Sequence, residues 1–505
     1  MRAALICNDT RGGIQPYVAL GMGLRAAGHE AVVVAPENYA GFVSARNVEF
    51  RGLRGDVQAV LQNPEYAEQL ERGFLASHRL MVRLLTESIR DWTRDALEAC
   101  RGADLIVGGF GGMMTGQAVA EALGVPFVQA HLQPLTPTGA YPGLLMPDRL
   151  RGRSRWLDRL SHRWSRQVFW QPLRGPINTA RREVLGPAPF WGNIGTPRRD
   201  GDLVLHGYSP HLLPRPSDWP SGVHITGYWL LDHEAGWTPP AGLVEFLDAG
   251  ELPIAVGFGS MSLRDAEATT RLVLDAVRRT GQRVVLLSGW GKMGASDLPS
   301  WAFVVESVPH DWLFPRVALS VHHGGAGTTG ASLRAGVPSV IVPFGADQPF
   351  WGWLLGSRGL GAQLIPRKRL TAEKLSSAIR AVVGDDAMRH RASELGRQIR
   401  EEDGVAGAVN ILEGLQVAIV ARHRPVRIRP VDGWHEDAPG SEATGGAFVS
   451  RSPRSRPRSR PSCHPPGWRT GSRPPGRPAC PGSRPAGRGR PASPSRPPRA
   501  AKARR

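Results

Sequence analysis

The segment Val321–Gly352 reads V-H-H-G-G-A-G-T-T-G-A-S-L-R-A-G-V-P-S-V-I-V-P-F-G-A-D-Q-P-F-W-G. An apolar run ends at His323. Gly324, Gly325 and Gly327 then let the backbone approach a ligand closely, and Thr328 and Thr329 open a short helix. A helix N-terminus offers free N–H groups and a partial positive charge, so it suits a phosphate group. His323, at the strand end, can donate to the same group. No Lys follows as in a P-loop, and the spacing is not G-x-G-x-x-G, so a dinucleotide cofactor is not indicated.

Alternating strands and helices must position that turn. Ala3–Cys7 is an apolar run, Asn8–Gly13 a polar loop, and Tyr17, Leu20 and Leu24 repeat at helical spacing before Gly28. Ala31–Ala35 completes a βαβ unit, which predicts a parallel sheet. Strands at Asp104–Val107 and Phe127–Ala130 flank a helix near Gly116–Leu123. Residues 145–185 read as amphipathic helix rich in Arg and Trp, either a lid beside an acceptor site or surface helices. Residues 232–250 read as an interdomain connection. A second βα series starts at Pro253, with strands at Ile254–Phe258, Arg283–Ser288, Phe303–Val305, Leu319–His322 and Ser339–Val342. Helices follow to about Val420. Two successive arrays predict two doubly wound α/β domains facing a cleft.

The net charge of +19 does not point to nucleic acid, because it is concentrated in a tail. Residues 451–505 hold 16 of the 63 Lys and Arg and no Asp or Glu; without them the charge falls to about +3. The Arg, Pro, Ser and Gly of this tail cannot bury enough apolar surface to order it, so it is expected to be disordered, with a weak polyanion or membrane-surface contact at most. The four cysteines show no metal or disulfide spacing. With no signal peptide or apolar membrane span, the expected location is cytoplasmic.

Val321–Gly352 resembles the donor-site signature of UDP-dependent glycosyltransferases of the GT-B fold, nearest the sterol and lipid glucosyltransferase-like branch, with glycopeptide and macrolide antibiotic glycosyltransferases as neighbours. Companion motifs carry the resemblance over about residues 1–415: T-R-G-G-I-Q-P-Y at Thr10–Tyr17, Y-S-P at Tyr208–Pro210, T-G-Y-W at Thr226–Trp229, V-G-F-G-S-M at Val256–Met261 and P-H-D-W-L-F at Pro309–Phe314. The resemblance implies an acceptor-binding domain over 1–221, a nucleotide-sugar-binding domain over 222–420 and a tail over 421–505. It implies that His323, Gly325, Gly327 and Thr328 hold the donor diphosphate, that Ser260 approaches it from another strand end, and that His310 and Trp312 lie against base and ribose. Asp347 and Gln348 would grip sugar hydroxyls, a carboxylate accepting and an amide doing both. Plant members carry a ribose-binding Glu where Ala331 and Ser332 stand here; the sterol-like branch also lacks it.

The implied reaction is inverting transfer of a hexose from a UDP- or dTDP-sugar to a hydroxyl of an apolar small molecule. The acceptor would lie against Phe110, Met114, His131 and Tyr141. No cofactor is implied, and no metal, since the helix N-terminus and His323 would stabilise the leaving diphosphate. The family's catalytic base, usually Asp or His, stands three residues before the Pro of the first motif. Here that position is Gly13, which transfers no proton. Asp9, four residues earlier, is an unusual carboxylate in the right loop. A base from elsewhere (Asp104, His131 or His322) and a catalytically impaired nucleotide-sugar-binding protein are the alternatives.

Overall fold

The computed structural model describes residues 1–56, 63, 74–147, 150–186, 202–259, 266–289 and 298–423. Its frame is two wholly parallel sheets. The first contains β1 (Arg2–Ile6), β2 (Glu30–Pro36), β3 (Glu49–Leu53), β4 (Leu105–Gly108), β5 (Phe127–His131), β6 (Val204–His206) and β7 (Val223–Ile225), in the order β3-β2-β1-β4-β5-β6-β7. The second contains β8 (Ile254–Gly257), β9 (Val284–Leu287), β10 (Ala302–Val305), β11 (Leu319–His322) and β12 (Ser339–Ile341), in the order β10-β9-β8-β11-β12. Strand direction reverses its spread between β1 and β4 and again between β8 and β11. Such switch points open a crevice at the carboxyl ends of the strands.

The helices are α1 (Arg11–Ala26), α2 (Ala40–Ser44), α3 (Phe74–Ala99), α4 (Met113–Leu123), α5 (Arg155–Ala180), α6 (Leu243–Asp248), α7 (Ala266–Arg278), α8 (His310–Leu313), α9 (Ala326–Arg334), α10 (Gln348–Arg358), α11 (Ala372–Val383), α12 (Asp386–Glu401) and α13 (Gly404–His423). The central strands are apolar on both faces because helices cover both. Leu5, Val33 and Val107 pack with α1, while Ala4, Ile6, Val34 and Ile106 pack with residues of α3 and α4. The second sheet repeats the scheme, with Val256, Val284 and Leu319 on one face and Ala255, Val285 and Val305 on the other.

Three sequence expectations change. The first sheet runs past residue 221 to β7, whose three residues are too few to show a period. The 232–250 connection contains α6. Helix α4 starts at Met113 rather than near Gly116, its first turn being the buried Met113, Met114 and Thr115. The final helix α13 returns to the first sheet: Ala408, Val409 and Leu412 join the core of Leu20 and Leu24. A Cβ on Gly23 would lie 2.2 Å from Val405 Cγ1, so the crossing needs a bare glycine on α1. Among the described residues no helix is long and apolar enough to cross a membrane. Ser260 and the tail from residue 424 lie outside the described residues.

Candidate active site

The carboxyl ends of β1, β4, β8 and β11 border one cleft of about 1470 Å³. Its lining brings together Asp9, Gly13, Phe110, Met114, His310, His323, Gly325, Gly327, Thr328, Asp347 and Gln348. These residues come from both sheets, so the site requires the whole two-sheet body.

Two helices aim their N-termini at this cleft. The first turn of α9 begins after Gly325, with no capping side chain and no acidic residue. The first turn of α1 begins after Thr10 and is likewise uncapped and free of acid. They approach closely: a Cβ on Gly327 would be 3.4 Å from the Gly12 carbonyl oxygen. Uncompensated N–H groups and two helix dipoles make the shared space attractive to an anion.

The Gly-rich turn is held by His322, which the sequence offered as a base. Its Nδ1 accepts from Gly324 N at 3.1 Å and its Nε2 meets Ser339 Oγ at 3.3 Å. Both ring nitrogens are engaged in holding the turn, and burial keeps the ring neutral. Gly324, at φ 88°, needs the conformational freedom of glycine. His323 then enters the cleft between Gly259 and Gly325, where added Cβ atoms would lie 3.1 Å from its Cε1 and 2.4 Å from its Nε2. Burial lowers its pKa to about 4, so the ring is neutral near pH 7. Its Nδ1 finds no hydrogen-bond partner among the described residues.

Asp347 sits after Ala346, whose φ of 54° is in the left-handed region, at the N-cap position of α10, where its side chain makes no cap hydrogen bond. Trp351 Nε1 donates to its Oδ2 at 2.8 Å. Burial nonetheless pushes its pKa up to about 6, and Asp9 across the cleft adds to the rise. Gln348 is turned differently: its Oε1 accepts from Phe344 N at 2.7 Å and Gly345 N at 3.1 Å, so its carbonyl end shapes the loop.

Asp9 and Gly13 share one volume. A Cβ on Gly13 would lie 2.3 Å from Asp9 Cγ and 2.4 Å from Oδ2. The carboxylate of Asp9 therefore fills the space that a side chain at position 13 would take. Thr10 N donates to its Oδ1 at 2.6 Å, which anchors one oxygen. Burial raises its pKa above the usual carboxylate range, against the lowering effect of Thr10. The loop is wedged in place by β4–α4, where a Cβ on Gly111 would be 2.1 Å from Asn8 O.

The remaining candidates stand elsewhere. Asp104 precedes β4, at the opposite end of the sheet from the cleft, and accepts from Arg2 N at 2.7 Å. His131 is 2% exposed, meets Gln129 Oε1 at 3.2 Å and is held neutral by burial, its pKa lowered to about 3. Tyr141, 4% exposed, packs among Trp219, His162 and Phe350. Neither lines the cleft, because each points into the packing behind its strand or loop. Trp312 packs on Trp237, with the Arg316 guanidinium over its ring at 4.4 Å, and is also absent from the lining; His310, stacked on Phe314, is present. Sequence reasoning missed Leu80, Leu84, Leu85, Ser88 and Trp92 of α3, which form an apolar wall beside Phe110 and Met114. Their signal was the amphipathic repeat along Phe74–Ala99. It also missed Gln133, whose side chain comes near Asp347. The aspartate pair spaced Asp200–Gly201–Asp202 lies off the donor motif, with Asp200 outside the described residues. No cluster of three metal-ligating side chains occurs among the described residues.

Comparison with known proteins fits this geometry. Residues 271–413 match the family described as erythromycin biosynthesis protein CIII-like, C-terminal domain. A sterol 3-beta-glucosyltransferase of Arabidopsis thaliana is 36% identical over 425 residues, covering 81% of this chain and 64% of the relative. One of Cryptococcus neoformans is 34% identical, covering 82% of this chain and 27% of the relative. The chain thus spans less than two thirds of the length of these relatives. Among solved structures, the glycosyltransferase SnogD of Streptomyces nogalater aligns with a TM-score of 0.58 at 22% identity, covering 82% of this chain and all of the other. The calicheamicin glycosyltransferase CalG4 aligns at 0.57 and 19%, covering 84% and all. VinC in complex with dTDP aligns at 0.56 and 20%, also covering 84% and all. The chain has the GT-B fold, is similar in sequence to sterol 3-beta-glucosyltransferases, and over residues 271–413 matches the erythromycin biosynthesis protein CIII-like C-terminal domain.

Proposed function

We propose that this protein is an inverting glycosyltransferase that moves a hexose from a nucleoside-diphosphate sugar to a hydroxyl of an apolar, sterol- or polyketide-like molecule. The observation that carries the reading is the Asp9 carboxylate, seated in the volume of the absent Gly13 side chain. It supplies a base where the family pattern has lost one, which favours a working enzyme over an impaired binding protein. The sterol glucosyltransferase relatives support the apolar acceptor, as does the wall of Leu80, Leu84, Leu85, Phe110 and Met114.

In this mechanism Asp9 takes the proton of the acceptor hydroxyl as its oxygen attacks the anomeric carbon. The bond from that carbon to the diphosphate oxygen breaks, and the electron pair leaves with the diphosphate. The N–H groups at the start of α9 and the neutral His323 ring take up the developing charge, so the chemistry needs no metal. Asp347 accepts hydrogen bonds from the sugar hydroxyls, with the Gln348 amide nitrogen beside it. His310 lies against the nucleoside, and Thr328 and Gly327 line the diphosphate. UDP and dTDP donors both fit this chemistry; a cytoplasmic site of action would supply either.

The test is release of UDP or dTDP from the glucose donors over a panel of sterols, flavonoids and macrolides. Acceptor-dependent release that Asp9→Asn abolishes supports the proposal. Tight UDP binding without release for any acceptor would return the impaired reading.

A further inference from the structure

An exposed stripe on α5 has no role in the cleft. Trp156, Leu160 and Trp164 are 69%, 44% and 49% exposed, and their spacing of four puts them on one face over about 12 Å of helix. Asp158, Ser161, His162 and Ser165 already bury the opposite face of this segment, and further along the helix Trp170, Leu173 and Ile177 pack against α3 and α4 residues such as Ile89 and Met114. Large side chains exposed in a row are therefore surplus to the fold. Arg155, Arg159 and Arg163 repeat alongside them at the same spacing, and Arg153 precedes the helix; all four are exposed. Arg159 pairs with Asp218 at 3.3 Å, whereas Arg153, Arg155 and Arg163 form no ion pair among the described residues. Within α5 the only acidic residue is Asp158, which is buried against five arginines in the helix sequence.

We infer that this face of α5 docks on an anionic lipid bilayer. Tryptophan is suited to the boundary between headgroups and acyl chains, its ring apolar and its N–H able to meet water or headgroups. A protein groove would satisfy the apolar stripe, but the adjacent Arg153, Arg155 and Arg163, which form no ion pair among the described residues, call for a surface of distributed negative charge. The same helix backs the apolar end of the cleft: Phe169 of α5 packs edge-on to Phe110 at 5.2 Å, and Phe110 lines the cleft. Docking here sets the apolar wall near the membrane in which an apolar acceptor dissolves. The docking itself does not rest on the transferase reading.

The test uses the full chain, basic tail included, and co-sedimentation with phosphatidylcholine vesicles with or without 30% phosphatidylserine. Wild type is expected to bind the anionic vesicles and to be quenched by bromine-labelled acyl chains. Trp156→Ser/Leu160→Ser/Trp164→Ser should weaken binding by at least about tenfold and lose the quenching. Arg155→Ser/Arg163→Ser should weaken binding to anionic vesicles by about tenfold while the protein keeps its far-ultraviolet dichroism and melting temperature. Wild-type vesicle binding by both variants would assign any binding to the tail and overturn the inference. So would a failure of the wild type to bind, or a wild-type dimer that the triple variant dissociates, which would make the stripe a contact between copies.

Discussion

Exchanging the residues at positions 9 and 13 tests the proposed base directly. Two non-bonded carbons rest about 3.5–4.0 Å apart, yet a Cβ on Gly13 would lie 2.3 Å from Asp9 Cγ. The two positions can hold one carboxylate between them, not two. Asp9→Asn keeps the shape and removes the base, so kcat for acceptor-dependent UDP release should fall by about 10²–10⁴. Gly13→Asp alone should also impair turnover, and the forced displacement should cost about 1–3 kcal/mol of stability, read as a lower Tm. Asp9→Gly/Gly13→Asp removes the conflict and returns a carboxylate to the same volume. Its kcat should recover to within about tenfold of wild type, far above either single change, which is strong non-additivity. Because burial raises the Asp9 pKa, the acid limb of kcat should lie above the usual carboxylate range and vanish from any residual activity of Asp9→Asn. Full activity in Asp9→Asn, or a double variant as inactive as Asp9→Asn, would refute the shared-volume argument.

Ionised, Asp347 accepts from a sugar through both oxygens and with full charge, and its pKa is about 6, so kcat/KM for the donor should fall as pH drops through 6. Trp351→Phe removes a hydrogen bond that favours the charged form, and should move this limb upward by about one pH unit; an unmoved limb would show that another group controls it. His323 is neutral above about pH 5, so UDP binding followed by calorimetry should owe no pH dependence to it near 6.5; His323→Ala should weaken UDP by roughly 10- to 100-fold. Gly325→Ala, with a Cβ 2.4 Å from the ring, should weaken UDP similarly and add little to His323→Ala; additive losses would mean the two act separately. Phe110→Ala and Met114→Ala should raise the acceptor KM, whereas Tyr141→Phe should leave it unchanged and affect only Tm, because Tyr141 is packed behind the cleft.

The strands at the centre of each sheet were legible because burial on both faces demands continuous apolar runs, as at Ile254–Gly257 and Leu319–His322. The last two strands of the first sheet, β6 and β7, were not, since each has three residues and shows no period. The proposed donor side was legible for a related reason. His323, Gly325, Gly327 and Thr328 are contiguous, so their chemistry is written in one segment. The proposed acceptor side is assembled from α3, α4 and the loops after β1 and β5, and no local pattern separates a cleft-lining Phe110 from a packed Tyr141. The proposed base was the most misleading position of all. Read along the chain, Gly13 is the loss of a side chain and Asp9 an unrelated substitution. In the fold, Thr10 occupies the N-cap position of α1 without a side-chain cap hydrogen bond, Asp9 directly precedes it and Gly13 is the third helical residue. The first turn of a helix folds the residue before the cap back over its own start, as in a hydrophobic staple. Four residues of separation therefore become one volume, and the loss at one position can be offset only by a side chain at the other. Gly13 is thus tied to Asp9: a variant that restores the family's Asp at position 13 without clearing position 9 should be worse than the chain as it stands.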